Sequence, residues 1–380
     1  MWPEKQRNGK LRYVERYKDP YTGKMKRAYE QIEKDTPQGR KKAAVALQLK
    51  INELLNAKPE RDTVTFGTVF SEYMQSWRMG VKETTVISSR HINVRIHEAI
   101  PNDYLISKID RRYLQKIFDD LLANGYSHNY VKKIKGRLNQ TFKYAVRMNY
   151  IDSNEMSFVE IPKEVLTPEK VQKKKTKFLD KSEVKILIQE ISKDIKHNKY
   201  AKKYYRIAVI LFMTGMRYGE LAGLDTRTDI NFENSKIHVQ YTYDFKTNKR
   251  TTPKTKKSDR IFDVPKIALT LIQEQILENI KDGLGTDYLF FNSKGKVLST
   301  SRIITVLKEY GQKAGLEKNI TTHIFRHSHI SLLAELGIPL PAIMERVGHS
   351  DSKTTLEIYS HVTMQMTLDL SNRLNALNLF

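Results

Sequence analysis

Thr321-Thr322-His323-Ile324-Phe325-Arg326-His327, followed by Val347-Gly348-His349-Ser350-Asp351 and then Ile358-Tyr359-Ser360-His361, is the stretch around which the chain is organised. It sets an imidazole, a guanidinium, a second imidazole and a phenol close together in sequence. Upstream, Thr214-Gly215-Met216-Arg217-Tyr218-Gly219-Glu220-Leu221 supplies a second arginine where one helix breaks and another begins. Each guanidinium is a planar fork of donors, so two arginines match the two non-bridging oxygens of one phosphate. A phenol beside them is placed to attack that phosphate and become covalently joined to it.

The totals fit such a partner. At 380 residues the chain is long for a single core, and two or three domains are expected. A hydrophobic content of 39% suffices for packed domains. The longest apolar stretch, 207–213, falls far short of the ~20 residues of a spanning helix, so no membrane association is expected. Met1-Trp2-Pro3-Glu4-Lys5 carries no apolar core of signal-peptide type. With no cysteine, disulfides, thiolate metal sites and cysteine catalysis are excluded. Together these features predict a cytoplasmic protein. The formal net charge of +23 calls for a polyanion. Because lysine and arginine recur along the whole chain, several folded modules are expected to face phosphates.

Residues 1–60 read as a small separate unit. Leu11-Arg12-Tyr13-Val14-Glu15-Arg16-Tyr17 alternates with period two, and Asp19-Pro20-Tyr21-Thr22-Gly23 is a turn cluster before a returning strand at 24–29. A helix over 38–56 completes two or three strands plus one helix, a core small enough to be marginal alone. Its basic, tyrosine-bearing strands suit a DNA groove as a β-ribbon; a solvated hairpin is the plainer alternative. Residues 64–160 read as helical, with segments at 66–77, 84–97, 110–122 and 127–148, Thr65 and Asp110 as caps, and a basic face on the last segment. The two prolines and the lysine run of 161–177 mark a basic linker. Asp180 and Glu183 then have capping-box spacing at the start of a domain over 178–380. There, 207–213 reads as a buried helix, 237–243 and 260–264 as strands, and 249–258 as a basic hairpin loop between them. Helices follow at 266–280, 300–314, 324–336 and 340–347.

Taken together, the Arg217 motif, His-x-x-Arg at 323–326, Gly-His-Ser-Asp at 348–351 and the following Tyr359 resemble the tyrosine recombinase (phage integrase) family, each motif in the family's order. The resemblance is strong over 178–363. It is weaker over 64–150, similar to the helical, SAM-like core-binding domain, and weakest over 1–60, similar to the arm-type DNA-binding domain. The fold it implies is multidomain and mainly α with small β-sheets: a β-sheet-plus-helix N-terminal domain, a helical core-binding domain and an α+β catalytic domain. Arg217 and Arg326 would then clamp the scissile phosphate and neutralise charge growing in the transition state. His323 would bond the phosphate and help remove the Tyr359 proton. Tyr359 would attack to give a 3′-phosphotyrosine, His349 would position it, and Glu220 would brace Arg217. A hairpin lysine would protonate the leaving 5′-oxygen. The Pro253-Lys254-Thr255-Lys256 context favours Lys254, whereas counting back from the second strand favours Lys257, with Lys256 between them; Lys254 is preferred.

The same residues admit plainer readings. Among 20 tyrosines, Tyr359 alone would pass for a packing residue; its rank comes from following His349 by ten positions. His327 and His329 are expected to be structural. His323 and His327 are four apart, but no carboxylate clusters with them, so no metal and no cofactor is expected. The leucine-bearing tail 363–380 either caps its own domain or, as the resemblance implies, packs on a neighbouring subunit. The partners implied are double-stranded DNA at core-type and arm-type sites, further copies of the chain in a tetramer on DNA, a host DNA-bending protein and an excisionase. The expected activity is site-specific recombination that integrates and excises a prophage or conjugative element. A catalytically silent DNA-binding regulator of the same fold is the rival, and it would have no use for Tyr359.

Overall fold

The computed structural model describes residues 1–5, 11–18, 24–32, 35–55, 63–165, 178–198, 200–253, 256–284, 287–348, 353 and 355–363. Lys254, His349, the linker stretch 166–177 and the tail beyond 363 lie outside them. The chain divides into two compact units, Met1–Glu164 and Val165–Phe380. As expected, the fold is mainly helical with small sheets.

The first unit opens with antiparallel strands β1 (Trp2–Lys5), β2 (Leu11–Lys18) and β3 (Met25–Ile32), with β2 central. Val14 pairs with Trp2 on one side and Tyr29 on the other. Alternation sends Tyr13 and Ala28 to one face, where α1 (Pro37–Leu55) covers them with Ala43, Leu47 and Ile51, at the four-residue spacing of a helix stripe. The helices that follow are α2 (Phe66–Met79), α3 (Glu83–Ala99), α4 (Arg111–Ala123) and α5 (His128–Arg147). Thr65, Asp110 and Ser127 cap α2, α4 and α5 by accepting backbone N–H bonds from Thr68, Tyr113 and Tyr130. Their apolar stripes meet around Phe66, Ile96, Leu114, Phe118, Leu138 and Phe142.

The second unit starts at a complete capping box: Glu183 N–H donates to the Asp180 carboxylate, and Asp180 N–H donates to Glu183. After α6 (Lys181–Lys193) comes α7 (Ala201–Thr214), which packs against α6 and three later helices and buries several faces. A short α8 (Tyr218–Gly223) leads to β4 (Ile230–Asn231), β5 (Lys236–Val239), β6 (Thr242–Asp244), β7 (Lys249–Thr251) and β8 (Arg260–Asp263). The remaining helices are α9 (Lys266–Lys281), α10 (Thr300–Lys313), α11 (Thr322–Glu335) and α12 (Leu340–Val347), followed by helical residues 355–363.

The strand read over 237–243 is in fact two. β5 joins β4 and β8 in one antiparallel sheet, while β6 turns away to pair with β7. The basic loop read over 249–258 therefore begins as a strand. The physical reason is the close packing of α8 on β6. A Cβ added to Gly223 would lie 2.7 Å from Tyr243 N, and one on Gly219 would lie 2.7 Å from Thr242 Oγ1. Stacking of Phe245 on Tyr218 and its edge contact with Tyr243 hold β6 there.

Candidate active site

The site is built where α7 ends. Gly215 adopts φ 68°, which reverses the chain and leaves its carbonyl to accept from Arg326 Nη1 at 2.9 Å. Arg217 then stands at the N-terminus of α8. Glu220, one turn on, reaches back: one carboxylate oxygen accepts from Arg217 N–H at 3.0 Å and the other from Arg217 Nη1 at 2.7 Å. The Arg217 guanidinium is thereby aimed by its own helix, with its side chain about a third exposed.

Arg326 comes from α11 and is 1% exposed. Besides Gly215 it donates to the carbonyl of Val347, at the end of α12. Burial first, and Arg217 second, pull its pKa down to about 9, with Glu220 opposing. A cation so poorly hydrated gains more from an arriving anion than one in open water. His323 lies one turn before Arg326, so both project from the same side of α11. Loss of hydration, then Arg217 and Arg326, hold its pKa below the ordinary imidazole value, which keeps a proton-accepting form at neutral pH.

Glu220 is the hub. Burial pushes its carboxyl up, but Arg260, Arg326 and Arg217 outweigh that and hold it below the usual carboxylate range. Arg260 was missed in the sequence. It donates to Glu220 at 3.0 Å and is 8% exposed, whereas the next residue, Ile261, is 62% exposed. The available signal was its phase: Phe262 and Val264 follow at two and four residues, on the buried face of a strand. Arg346 was missed too; it donates to the His329 ring at 3.0 Å and to the Asp263 carbonyl at 3.1 Å.

The structure thus gathers Arg217, His323 and Arg326 around Glu220. Tyr359 lies within helical residues 355–363, half-buried, its ring against a second apolar cluster that includes Ile330, Ala334, Ile343 and Val347. Among the described residues its hydroxyl bonds neither arginine. Arg326 and this cluster meet at Val347, whose carbonyl serves one and whose side chain serves the other. His329 is a core residue, as expected: its Nδ1–H donates to the Phe212 carbonyl at 2.7 Å while Nε2 accepts from Arg346. Among the described residues no group of three His, Asp or Glu side chains is arranged to hold a metal, and no helix is long and apolar enough to cross a membrane.

Residues 177–366, half of the chain and the whole of this site, match the model of the phage integrase family. The chain belongs to that family of tyrosine recombinases. It is accordingly an enzyme that transfers DNA strands. The likeness extends across the full length to the prophage ps2 probable integrase of Lactococcus lactis subsp. lactis (strain IL1403), 30% identical over 393 residues and covering 100% of both chains. The integrase of Staphylococcus phage L54a is 33% identical over 352 residues, covering 87% of this chain and 99% of its own. Among solved structures, the Tn1549 transposon integrase superposes with TM-score 0.62 at 23% identity, covering 82% of this chain and 99% of that one. A lambda integrase bound to a COC′ core site gives 0.57 at 16%, covering 94% of each. At such identities the superpositions show the shared phage integrase fold.

Proposed function

We propose that this integrase cuts and rejoins DNA at specific sites through a 3′-phosphotyrosine, integrating and excising a prophage or conjugative element. The observation that carries the reading is the convergence of Arg217 and Arg326 on Glu220 with His323 beside them. Such a pocket suits a phosphodiester whose non-bridging oxygens gain charge in the transition state. Tyr359 Oη forms the new bond to phosphorus, and the bond to the 5′-oxygen breaks. The phenol proton passes to His323, and Lys254 supplies the proton that the 5′-oxygen takes up. His349 bonds the phosphate and sets the tyrosine. One phosphodiester is exchanged for one phosphotyrosine bond, so religation by a second 5′-hydroxyl needs no ATP, and the arginines do the charge work a metal ion does in many nucleases.

The assembly proposed with it has an arm-type module at 1–60, a core-binding module at 64–160, a basic linker at 161–177 and a catalytic module at 178–380. Four copies act on core-type sites, helped by a host DNA-bending protein and an excisionase. The lambda integrase has been seen as a tetramer on a Holliday junction, and the ICEBs1 integrase of Bacillus subtilis is 27% identical over 94% of this chain. The outward face of the N-terminal sheet supports the arm-type role. Arg16 and Arg27 are cross-strand partners, and both guanidiniums lie over the Trp2 ring, at 5.5 and 5.9 Å. That is a cationic, flat-sided strip of the kind that enters a groove.

The test is covalent trapping in EDTA on nicked duplexes tiled from the DNA flanking the gene, with Tyr359→Phe alongside. The expected result is an adduct on a denaturing gel from the wild type and none from the variant. Equal DNA binding by both with no adduct on any tile would remove the reading; an adduct that survives in the variant would show that another residue attacks.

A further inference from the structure

Arg260 connects three parts of the catalytic unit that are far apart in sequence. Its Nη2 donates to Glu220, forty residues back, and its Nε donates at 2.8 Å to the carbonyl of Arg346, eighty-six residues on. Its Nη1 donates at 3.1 Å to the carbonyl of Ser258, at the end of the loop carrying the three candidate lysines. Gly348, the left-handed C-cap of α12 (φ 66°), is pressed against the same group: a Cβ there would come within 3.0 Å of Arg260 Nη1 and 2.9 Å of the Lys257 carbonyl. All three nitrogens of one buried guanidinium are thus bonded, one to the carboxylate that aims Arg217 and two to backbone at the edges of the segments that carry Lys254 and His349.

We propose that Arg260 is a positioning residue for strand cleavage: it fixes Glu220, and through it Arg217, in register with the loop end at Ser258 and the last turn of α12. The inference rests on the phosphotyrosine reading above. A fork is required because the three acceptors lie in different directions around one plane, which an ammonium at the end of a flexible stem does not reach together. Arg260 itself, buried among Glu220 and the two backbone carbonyls, has no role in contacting DNA. Its loss displaces the groups that do, and small misplacements of a catalytic group cost rate rather than affinity.

The test uses the full-length protein and a nicked duplex on which the wild type forms its adduct. The dissociation constant and the single-turnover rate of adduct formation at saturating DNA are measured for wild type, Arg260→Gln, Arg260→Lys, Glu220→Gln and the Arg260→Gln/Glu220→Gln double variant. Arg260→Gln is expected to slow adduct formation by roughly 10–100-fold, the range usual for loss of an orienting partner, with the dissociation constant changed by less than about twofold. Arg260→Lys is expected to recover part of that rate. In the Glu220→Gln background, Arg260→Gln should cost less than about threefold, because the residue it acts through has gone. A wild-type rate in Arg260→Gln, or full additivity with Glu220→Gln, overturns the inference. Should Arg260→Gln fail to fold, Arg260→Lys decides: a rate equal to wild type overturns the tie, and a slowed rate at unchanged affinity supports it. If none of the tiled duplexes yields a wild-type adduct, the phosphotyrosine reading falls instead.

Discussion

His329 has its two ring nitrogens committed, one donating to Phe212 and one accepting from Arg346, and burial first, then Arg346, bring its pKa down to about 3. In the unfolded chain the same imidazole titrates near 6.5. Between those values the unfolded chain carries a proton that the folded chain does not, so stability is complete above about pH 6.5 and declines as the pH falls. The urea midpoint of the wild type is therefore expected to drop from pH 7 to pH 5, above the range in which paired carboxylates titrate. In His329→Gln the midpoint should be lower throughout but flatter over that interval; a slope as steep as that of the wild type would assign the titration to another group. At this scale the structure puts His329 in the core and His323 beside the arginines. Arg260 left only its strand phase as a signal, because a charged residue enters a core only when its partners do, and those partners are remote in sequence.

Elements were legible where their signals were local. The caps at Thr65, Asp110 and Asp180 and the helices of both units follow from periodicity and side-chain oxygens within a few residues. The strand over 237–243 was not, because its break depends on α8 lying against β6. Gly223→Ala tests that packing. The added methyl meets backbone atoms of Thr242 and Tyr243, which have no rotamer to yield with. The hairpin it would push away is also held by Arg250, whose Nε bonds the Gly223 carbonyl at 2.9 Å and whose Nη1 bonds Asp225 at 3.1 Å. The expected loss is about 1–3 kcal/mol in a denaturant titration. A stability within about 0.5 kcal/mol of wild type would mean that α8 and β6 adjust freely.

For the whole molecule, the net charge of +23 is distributed over both units rather than held in one tail. Such a surface binds DNA largely by releasing counterions, so the logarithm of affinity should fall linearly with the logarithm of salt concentration. With six or more phosphates contacted, the loss between 50 and 200 mM salt is expected to be about 10³-fold or greater. A filter-binding or anisotropy series flat across that range would count against extended phosphate contact and against the multi-module assembly proposed here.

By itself the sequence determined the family, the order of its motifs and the helical character of the chain, because these depend on residue identity, spacing and contacts a few positions apart. It also singled out Arg217, His323, Arg326 and Tyr359 as candidates. The tertiary structure decided which of them share an environment: Arg217, His323 and Arg326 around Glu220, with Tyr359 seated on the neighbouring cluster. It alone buried Arg260 at the junction of three distant segments and split one apparent strand between two sheets. Burial of a charge and choice of a strand partner are settled by whichever surfaces meet when the chain closes on itself, and no local pattern records that meeting.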